Sequence, residues 1–292
     1  MQSMTAFSGK LFNKIKRLTG SAIGDFDLIE EGDNIAVAVS GGKDSYVLLH
    51  ILEELRRRAP VSFRLTAVNI DIGFPGYRTD IIEEHLQAHG FDYRMVPTEC
   101  FRIIEQKRTP GSSFCAFCAR LRRGVLYTQA QELGCNKIAL GHHRDDSLET
   151  LLMNLFYAGK MQAMPAVYTT DDGRFKVIRP LIECPEERIA ELAEELAFPI
   201  LPCNLCGSQE GLKREATKAL LAQLEATKPD IKSVMMRAIG NVRPTHLMDK
   251  DVLAAWEKRP DDVRRDGDLK PGPKRSAAEP VKRGGPRLPV IG

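Results

Sequence analysis

The segment Ser40-Gly-Gly-Lys-Asp-Ser45 constrains the fold of this chain more than any other feature. It directly follows a short β-branched apolar stretch at 35–39, which is typical of a strand buried on both faces of a parallel sheet. It directly precedes residues 47–55, whose apolar side chains recur at helical spacing. A glycine turn between a buried strand and a helix N-terminus presents backbone N–H groups and the positive end of the helix dipole to an anion. The sequence therefore predicts an α/β domain with a phosphate-binding loop at 40–45.

Strands and helices alternate along most of the chain. This alternation indicates an α/β fold with a doubly wound, mostly parallel sheet. The further strands are predicted at 63–70, 93–96, 137–140 and 177–181, and the helices at 7–24, 80–89, 121–133, 145–157, 185–196 and 213–240.

Composition defines the ends of the domains and limits the class of protein. Residues 259–292 contain six prolines, five glycines and mixed charges, which predicts a disordered tail. The tail carries nine basic and five acidic side chains against a whole-chain net charge of +3, so the body is close to neutral and any binding of nucleic acid depends on local basic clusters. The predicted organisation is an N-terminal helical segment at 1–30, an ATP-binding domain at 31–210 that includes the cysteine site, a C-terminal helical segment at 211–258 and the tail.

Long apolar runs and the residue order of a secretory signal are both lacking, so we expect a cytoplasmic protein that does not contact membrane.

The residue types of the 40–45 loop fit a nucleoside triphosphate. Gly41 and Gly42 let the backbone approach a ligand closely, Lys43 adds a point charge, and the hydroxyls at the two ends of the loop add donors. Asp44 would repel phosphate in a pure anion site, and its presence is explained if Mg²⁺ bridges it to phosphate oxygens. The candidate nucleotide-binding residues are therefore Ser40, Gly41, Gly42, Lys43, Asp44 and Ser45, of which Lys43 and Asp44 are also candidate catalytic residues.

A second polar segment, Gly141-His-His-Arg-Asp-Asp146, follows the fourth predicted strand and opens a helix. Ligands of open α/β sheets bind beyond the carboxyl ends of the strands, so this loop and the 40–45 loop are expected at one edge. Either Asp145 or Asp146 is expected to hold Mg²⁺ while the other caps the helix, and both are candidate catalytic residues. His142 or His143 is expected to contact a phosphate or to polarise the target carbonyl.

Four of the seven cysteines form two Cys-x-x-Cys pairs, Cys115/Cys118 and Cys203/Cys206. In a cytosolic protein such pairs indicate metal binding or redox chemistry, because two thiolates reach one metal across a tight turn. Four thiolates could hold Zn²⁺ or a [4Fe–4S] cluster, and spacing does not separate the two. The remaining cysteines, Cys100, Cys135 and Cys184, are predicted to be small buried residues.

Together these segments resemble a known family. The 40–45 loop matches the pyrophosphatase loop (PP-loop) of the ATP pyrophosphatases, which cleave ATP between the α- and β-phosphates and adenylate a carbonyl oxygen. With the 141–146 segment, the Cys-x-x-Cys-x-Arg-Leu-Arg-Arg-Gly run from Cys115 and the Pro-Cys-Asn-Leu-Cys-Gly-Ser run from Pro202, the chain is similar to the tRNA 2-thiocytidine biosynthesis (TtcA) family over about residues 8–250.

The resemblance implies a reaction and a cofactor. ATP would adenylate O2 of cytidine 32 in the tRNA anticodon loop, and sulfur would then displace AMP at C2. A [4Fe–4S] cluster would be held by Cys115, Cys118 and Cys206 only, with Cys203 a neighbour that does not bind iron. The implied partners are tRNA and a cysteine desulfurase as sulfur donor, and a homodimer is one expected assembly.

Basic side chains beside the cysteines are candidate RNA contacts. They are Arg120, Arg122, Arg123, Lys213 and Arg214.

Three alternatives remain open at this point. A uridine-thiolating PP-loop relative would also have a cluster, although that branch usually has extra cysteine pairs near both ends, and this chain has no cysteine before Cys100 or after Cys206. A relative that uses a disulfide and a persulfide would put the transferred sulfur on the cysteines themselves. A zinc-stabilised RNA-binding protein would bind ATP only as a structural ligand.

Overall fold

The structure is a computed structural model that describes residues 7, 9–107, 114–201 and 209–258. The predicted tail at 259–292 and the second cysteine pair, Cys203 and Cys206, lie outside the described residues.

A six-stranded sheet forms the centre of the molecule, with strand order β3-β2-β1-β4-β6-β5. All neighbouring strands pair in parallel except β5, which runs antiparallel to β6 at one edge. The α/β fold with a doubly wound, mostly parallel sheet is therefore confirmed. The strands are β1 (Asn34–Ala38), β2 (Arg64–Asp71), β3 (Tyr93–Pro97), β4 (Lys137–Ala139), β5 (Val167–Thr169) and β6 (Lys176–Ile178).

Helices connect these strands and cover both faces of the sheet. A π-helical turn, Asn154–Ala158, extends the sixth helix, and a 3₁₀ turn, Pro244–His246, precedes the last. The helices are α1 (Lys10–Asp25), α2 (Lys43–Arg56), α3 (Thr79–Ala88), α4 (Cys100–Lys107), α5 (Phe114–Glu132), α6 (Arg144–Met153), α7 (Glu186–Glu195), α8 (Gln209–Thr227), α9 (Ile231–Ile239) and α10 (Lys250–Glu257).

The two faces of the sheet bury separate apolar clusters. On one face α1, α2, α3 and α7 enclose the larger cluster, which includes Phe12, Ile35 and Leu48. On the other face α5 packs its Leu126 and Ala130 against strand residues. Because β1 contributes Ile35 and Val37 to the first cluster and Ala36 to the second, it is buried on both sides as its sequence predicts.

The chain divides into two compact units, Met1–Ile239 and Gly240–Gly292. The first contains the sheet and α1 to α9, and the second contains the 3₁₀ turn and α10. The boundaries predicted after residues 30, 210 and 258 stay predictions. Among the described residues, none of the helices combines the length and the apolar character that crossing a bilayer requires.

Several elements differ from the sequence expectation. Helix α5 begins at Phe114 and not at 121, so Cys115 and Cys118 lie in a helix, and the expected tight turn at this pair is wrong. Helix α4 and the three-residue strand β5 were not predicted at all. The predicted helix at 213–240 is two helices, α8 and α9, separated at residues 228–230.

Candidate active site

The strand order places the two polar loops side by side. The chain leaves β1 toward β2 on one side, whereas β4 pairs with β1 on the other side. This change of direction creates a crevice beyond the carboxyl ends of β1 and β4, where open α/β sheets bind their ligands. The 40–45 loop follows β1 and the 141–146 loop follows β4, so both lie at this crevice.

The 40–45 loop is held in shape by its own serines. Ser45 Oγ donates to the Gly42 carbonyl at 2.8 Å, and the Ser40 N–H donates to Ser45 Oγ at 3.2 Å. Gly41 adopts a φ of +78°, in the left-handed region that favours glycine. Gly42 is the N-cap of α2 and has no side chain to cap the first turn. The free N–H groups of that turn are therefore available to an anion.

Lys43 is held between two carboxylates. Its Nζ lies 3.2 Å from Asp44 Oδ1 and 3.2 Å from Glu186 Oε1, the latter at the start of α7. Burial is the largest influence on the pKa of Lys43 and opposes the charge, but Asp44 and Glu186 together outweigh it and raise that pKa. The lysine is therefore a fixed positive charge at the loop. The sequence did not indicate Glu186, because α7 reaches the loop only through the tertiary fold.

Gly141 brings the second loop into direct contact with the first. A Cβ at Gly141 would lie 3.1 Å from the carbonyl carbon and oxygen of Asp44 and 3.3 Å from the Ser45 nitrogen. Only glycine lets the two backbones approach this closely.

His143 lies between two carboxylates of the two loops. Its Nε2 is 3.7 Å from Asp44 Oδ1 and 3.5 Å from Asp146 Oδ2. The Asp146 carboxylate also accepts the His143 backbone N–H at 2.9 Å and so closes the first turn of α6. Arg214 of α8 pairs with Asp146 and, at 2.6 Å, with Glu149. Asp44, His143 and Asp146 therefore form one polar cluster in the crevice.

Asp145 lies apart from that cluster. It accepts the backbone N–H of Glu186 at 3.0 Å and pairs with Lys232 at 2.9 Å and with Arg144 at 3.2 Å. Burial raises its pKa most strongly, but these partners outweigh burial and hold the pKa below its usual value. With its charge already compensated, Asp145 joins α6 to α7 and α9 and does not face the phosphate loop.

His142 faces a different wall of the crevice. Arg179 Nε donates to His142 Nδ1 at 3.3 Å, and the guanidinium lies 5.1 Å from the centre of the Tyr168 ring. Burial lowers the pKa of His142 to about 4, so the ring is neutral near pH 7. A neutral imidazole whose Nδ1 accepts a hydrogen bond has its proton on Nε2 and donates from that atom. Arg179 and Tyr168 were not indicated by the sequence, since neither belongs to a polar segment or a recognisable motif.

A cavity of about 490 Å³ joins these groups to the cysteine helix. Ser40, Asp44 and Asp146 line it on the side of the two loops, and Ala119 and Arg122 of α5 line it on the opposite side. The other lining residues are Ala38, Ser45, Arg123, Leu126, Tyr127, Ile138, Leu140, Gly141, His142, Met164, Tyr168 and Arg179. A smaller cavity of about 340 Å³ also contacts Asp44 and Asp146 and is bordered by Lys43, Glu186, Arg214 and Lys218. Asp44 and Asp146 thus border both cavities.

Cys115 and Cys118 are three residues apart near the start of α5. The Cys118 thiol is buried in a small apolar cluster with Ile72, Cys100 and Ile104. Arg122 Nη2 lies 3.9 Å from Cys118 Sγ, one turn further along α5. The positive guanidinium beside this sulfur suits a thiolate, which is the form of cysteine that binds metal.

The three cysteines outside the pairs are buried, as predicted. Burial raises the pKa of Cys135 to about 11 and that of Cys184 to about 12, so both remain neutral thiols near pH 7.

Comparisons with known proteins identify the family of this chain. The PP-loop domain family matches residues 10–199. The tRNA-cytidine(32) 2-sulfurtransferase of Syntrophotalea carbinolica is 56% identical over 248 residues, covering 84% of this chain and 95% of that protein. The enzyme of the same name from Citrifermentans bemidjiense is 52% identical over 249 residues, covering 85% and 97%. Among solved structures, the U34-tRNA thiolase NcsA of Methanococcus maripaludis, determined with its [4Fe–4S] cluster, has a TM-score of 0.64 and 25% identity, covering 79% of this chain and 78% of its own.

Proposed function

We propose a mechanism for this chain from the premise that it belongs to the PP-loop family and, within it, to the tRNA-cytidine(32) 2-sulfurtransferases. In this proposal ATP activates the C2 carbonyl oxygen of cytidine 32 in the anticodon loop, and sulfur replaces that oxygen. One observation carries the mechanism. A single cavity is lined both by the phosphate loop and by the helix that begins with Cys115 and Cys118.

The chemistry explains why both parts must face one cavity. A carbonyl oxygen is a poor leaving group, whereas AMP is a good one. Attack of O2 on the α-phosphorus forms the O–P bond and releases pyrophosphate. Bonding of sulfur to C2 then breaks the C–O bond and releases AMP with that oxygen. The adenylated base stays in place between the two steps, so a sulfur source at short range acts at a high effective concentration.

The phosphate loop is proposed to bind the triphosphate. The N–H groups of the first turn of α2 and the Ser40 hydroxyl are the donors, and the Ser45 hydroxyl would join them by turning from the Gly42 carbonyl to a phosphate oxygen. Lys43 supplies a positive charge. Its ammonium group would leave Asp44 and Glu186 and pair with phosphate oxygens. His142, neutral and held by Arg179, is assigned to donate from Nε2 to a phosphate or to the C2 oxygen.

Asp44 and Asp146 are proposed to hold Mg²⁺. They fit this ion because both are carboxylates, the ligand type that Mg²⁺ prefers, and because both border the two cavities. When bound, Mg²⁺ neutralises charge on the phosphates and on the leaving pyrophosphate. We assign Asp145 a positioning role, since it borders neither of the two cavities and its carboxylate binds Lys232, Arg144 and the Glu186 N–H.

Cys115, Cys118 and Cys206 are proposed to hold a [4Fe–4S] cluster. The described part of this site fits the group, because Cys118 is buried at a helix start with a guanidinium beside its sulfur. When bound at these cysteines, the cluster would supply the sulfur that is transferred to the base. Arg122 is proposed to stabilise the thiolate form of Cys118, and Cys203 is not assigned a ligand role.

The tRNA substrate is proposed to bring its anticodon loop to the cavity. A loop base leaves its stack more easily than a base in a duplex, and a flipped base can stack on aromatic or guanidinium planes. Tyr127, Tyr168 and Arg179 offer such planes in the cavity wall. A cysteine desulfurase as sulfur donor, a homodimer and a cytoplasmic location complete the proposal.

Paired cysteine substitutions test the cluster. Cys118→Ala, like Cys115→Ala and Cys206→Ala, is expected to lose iron and to abolish 2-thiocytidine formation. Cys100→Ala is the matched control, since Cys100 is buried in the same apolar cluster as Cys118 but is not assigned as a ligand. Iron and sulfide are measured on anaerobically purified protein, and 2-thiocytidine by mass spectrometry of tRNA nucleosides. About four iron per chain is expected for one cluster.

Three outcomes would contradict this proposal. One zinc and no iron per chain would remove the iron–sulfur mechanism, and a stable persulfide without metal would put the transferred sulfur on cysteine. Loss of iron in Cys203→Ala with retention in Cys206→Ala would show that the ligand assignment is wrong.

A further inference from the structure

Three histidines of this chain meet on the face of the sheet that α2 and α3 cover. His50 comes from the middle of α2, and His85 and His89 come from the last turn and the C-cap of α3. One ring nitrogen from each lies within 4.8 Å of the other two. We propose that His50, His85 and His89 form a binding site for one late first-row transition-metal dication of the Zn²⁺ class, separate from the phosphate loop and from the cysteine helix.

The spacing of the nitrogens is close to that of a metal site. A tetrahedral zinc ion with Zn–N bonds of about 2.0–2.1 Å separates its ligand nitrogens by roughly 3.3 Å. His50 Nε2 and His85 Nε2 are 2.9 Å apart, and no pair exceeds 4.8 Å. Small rotations of the three rings therefore suffice to bring the nitrogens around one ion. The two helices hold the rings in place, and the four-residue separation of His85 and His89 puts both on one side of α3.

A hydrogen bond already orients one ring for binding. His89 Nδ1 lies 2.9 Å from the backbone carbonyl oxygen of His85. Since the oxygen only accepts, Nδ1 carries the proton and Nε2 keeps its lone pair. Histidine ligands of metals usually donate their second N–H to a carbonyl or carboxylate in this way.

The rings are also in the protonation state that a metal requires. Burial, and then the neighbouring imidazoles, lower the pKa of His50 well below its usual value, and the same causes lower the pKa of His85 to about 4. Both rings are neutral near pH 7. One Nε2 of the pair carries the proton of their hydrogen bond, and this proton would move to Nδ1 of the same ring when the metal binds, so neither imidazole has to lose a proton.

The surroundings favour a metal that prefers nitrogen. The His50 ring contacts the rings of Phe7, Phe91 and Phe198 at centroid distances of 4.9–5.0 Å. Imidazole ligands suit Zn²⁺, Cu²⁺, Ni²⁺ and Co²⁺, whereas Mg²⁺ and Ca²⁺ prefer oxygen. The site is thus distinct in its chemistry from the carboxylates proposed to hold Mg²⁺. His85 and His89 are only half-buried, which leaves a route for the ion and a position for water.

Such a metal would join the helix that carries the phosphate loop to its neighbour. Helix α3 also approaches the phosphate loop itself, since a Cβ on Gly41 would lie 3.0 Å from Ile82 Cδ1 of α3. A bound ion would therefore stabilise α2 and α3 together, and its role in this proposal is structural.

Metal titration of the full chain, in buffer without ATP, tests the site. ZnCl₂ is expected to raise the Tm of the wild-type protein, and the rise is expected to vanish in His85→Gln and in His89→Gln. Losing the hydrogen-bond partner of a metal ligand already costs about 10–100-fold in affinity, so losing a ligand is expected to cost at least as much. His246→Gln is the matched control, because His246 is exposed and lies outside the cluster. Comparing each variant with and without zinc removes any effect of the substitution on folding itself.

Co²⁺ identifies the ligand type in the same proteins. Nitrogen ligation gives visible d–d bands without an intense sulfur-to-cobalt charge-transfer band, and these bands are expected to disappear in His85→Gln and His89→Gln. A charge-transfer band that persists in both variants would assign the metal to cysteines and overturn the proposal. A Tm that is unchanged by zinc in the wild type, with no cobalt bands, would show that the three histidines are only packed neutral imidazoles. This result would also overturn the proposal.

Discussion

Lys43 is a single residue whose charge is stabilised by its neighbours. Its ammonium group lies between Asp44 and Glu186, each 3.2 Å away, and these carboxylates keep it charged although it is partly buried. In the proposed mechanism, phosphate oxygens would replace these carboxylates, so the charge would stay paired. The proposed Mg²⁺ would at the same time take over Asp44 as a ligand.

Lys43→Ala is expected to lower the rate of pyrophosphate release by about 100-fold or more, the usual effect of removing a group that stabilises transition-state charge. Iron content is expected to stay at the wild-type level, because Lys43 does not contact Cys118 or its helix. Pyrophosphate release in the presence of tRNA, and iron per chain, are the two measurements. Lys176→Ala removes the same charge from an exposed side chain at the start of β6 and should leave both unchanged. Normal thiolation by Lys43→Ala would remove the phosphate loop from the mechanism.

Helices and strands differ in how far the sequence predicts them. Buried strands such as β1 and amphipathic helices such as α2 follow from hydrophobic pattern and glycine placement. Helix α4 is short, and β5 has only three residues at a sheet edge, so neither has a pattern long enough to detect. For α5 a Cys-x-x-Cys pair suggested a turn, but residues three apart also share one face of a helix. The helical start explains why Arg122 lies beside Cys118.

The contact between the two loops gives a prediction at the level of elements. Gly141→Ala is expected to push the first turn of α2 away, because the new Cβ would lie 3.1 Å from the Asp44 backbone. Such crowding costs about 1–3 kcal/mol in the free energy of unfolding, and a shifted loop is expected to lower kcat by at least about 10-fold. Denaturant unfolding and thiolation kinetics measure the two effects.

Gly24 provides the control for that substitution. A Cβ at Gly24, near the end of α1, meets no atom within 4 Å. Gly24→Ala is therefore expected to raise the free energy of unfolding by about 0.4–1 kcal/mol and to leave kcat unchanged. Equal kcat values for Gly141→Ala and wild type would show that the contact between the loops is not required for catalysis.

At the scale of the whole molecule, the site is assembled from parts that the sequence keeps far apart. The sequence predicted the two loops and their shared edge, since each directly follows a strand. It did not predict Glu186, Arg179 or the histidine cluster, because these groups meet only after helices pack across the sheet. Family membership gives the reaction, whereas the cavity lined by the loops and by α5 supports the proposal that activation and sulfur delivery occur on one base.

The proposed arrangement also predicts where tRNA binds, and Arg123 tests it. Arg123 is exposed and lines the cavity on the cysteine helix, where we expect an anticodon-loop phosphate to pass when the base reaches the phosphate loop. Arg123→Ala is expected to weaken tRNA binding and to reduce the slope of log K against log salt by about 0.7–0.9, the loss of one phosphate contact. Iron content should not change. Arg174→Ala removes an equal charge from an exposed guanidinium that pairs with Asp172 outside the cavity, and its binding and salt slope should match those of the wild type. If the two variants bind tRNA equally well at every salt concentration, the RNA does not approach along α5, and the base must enter the cavity from another side.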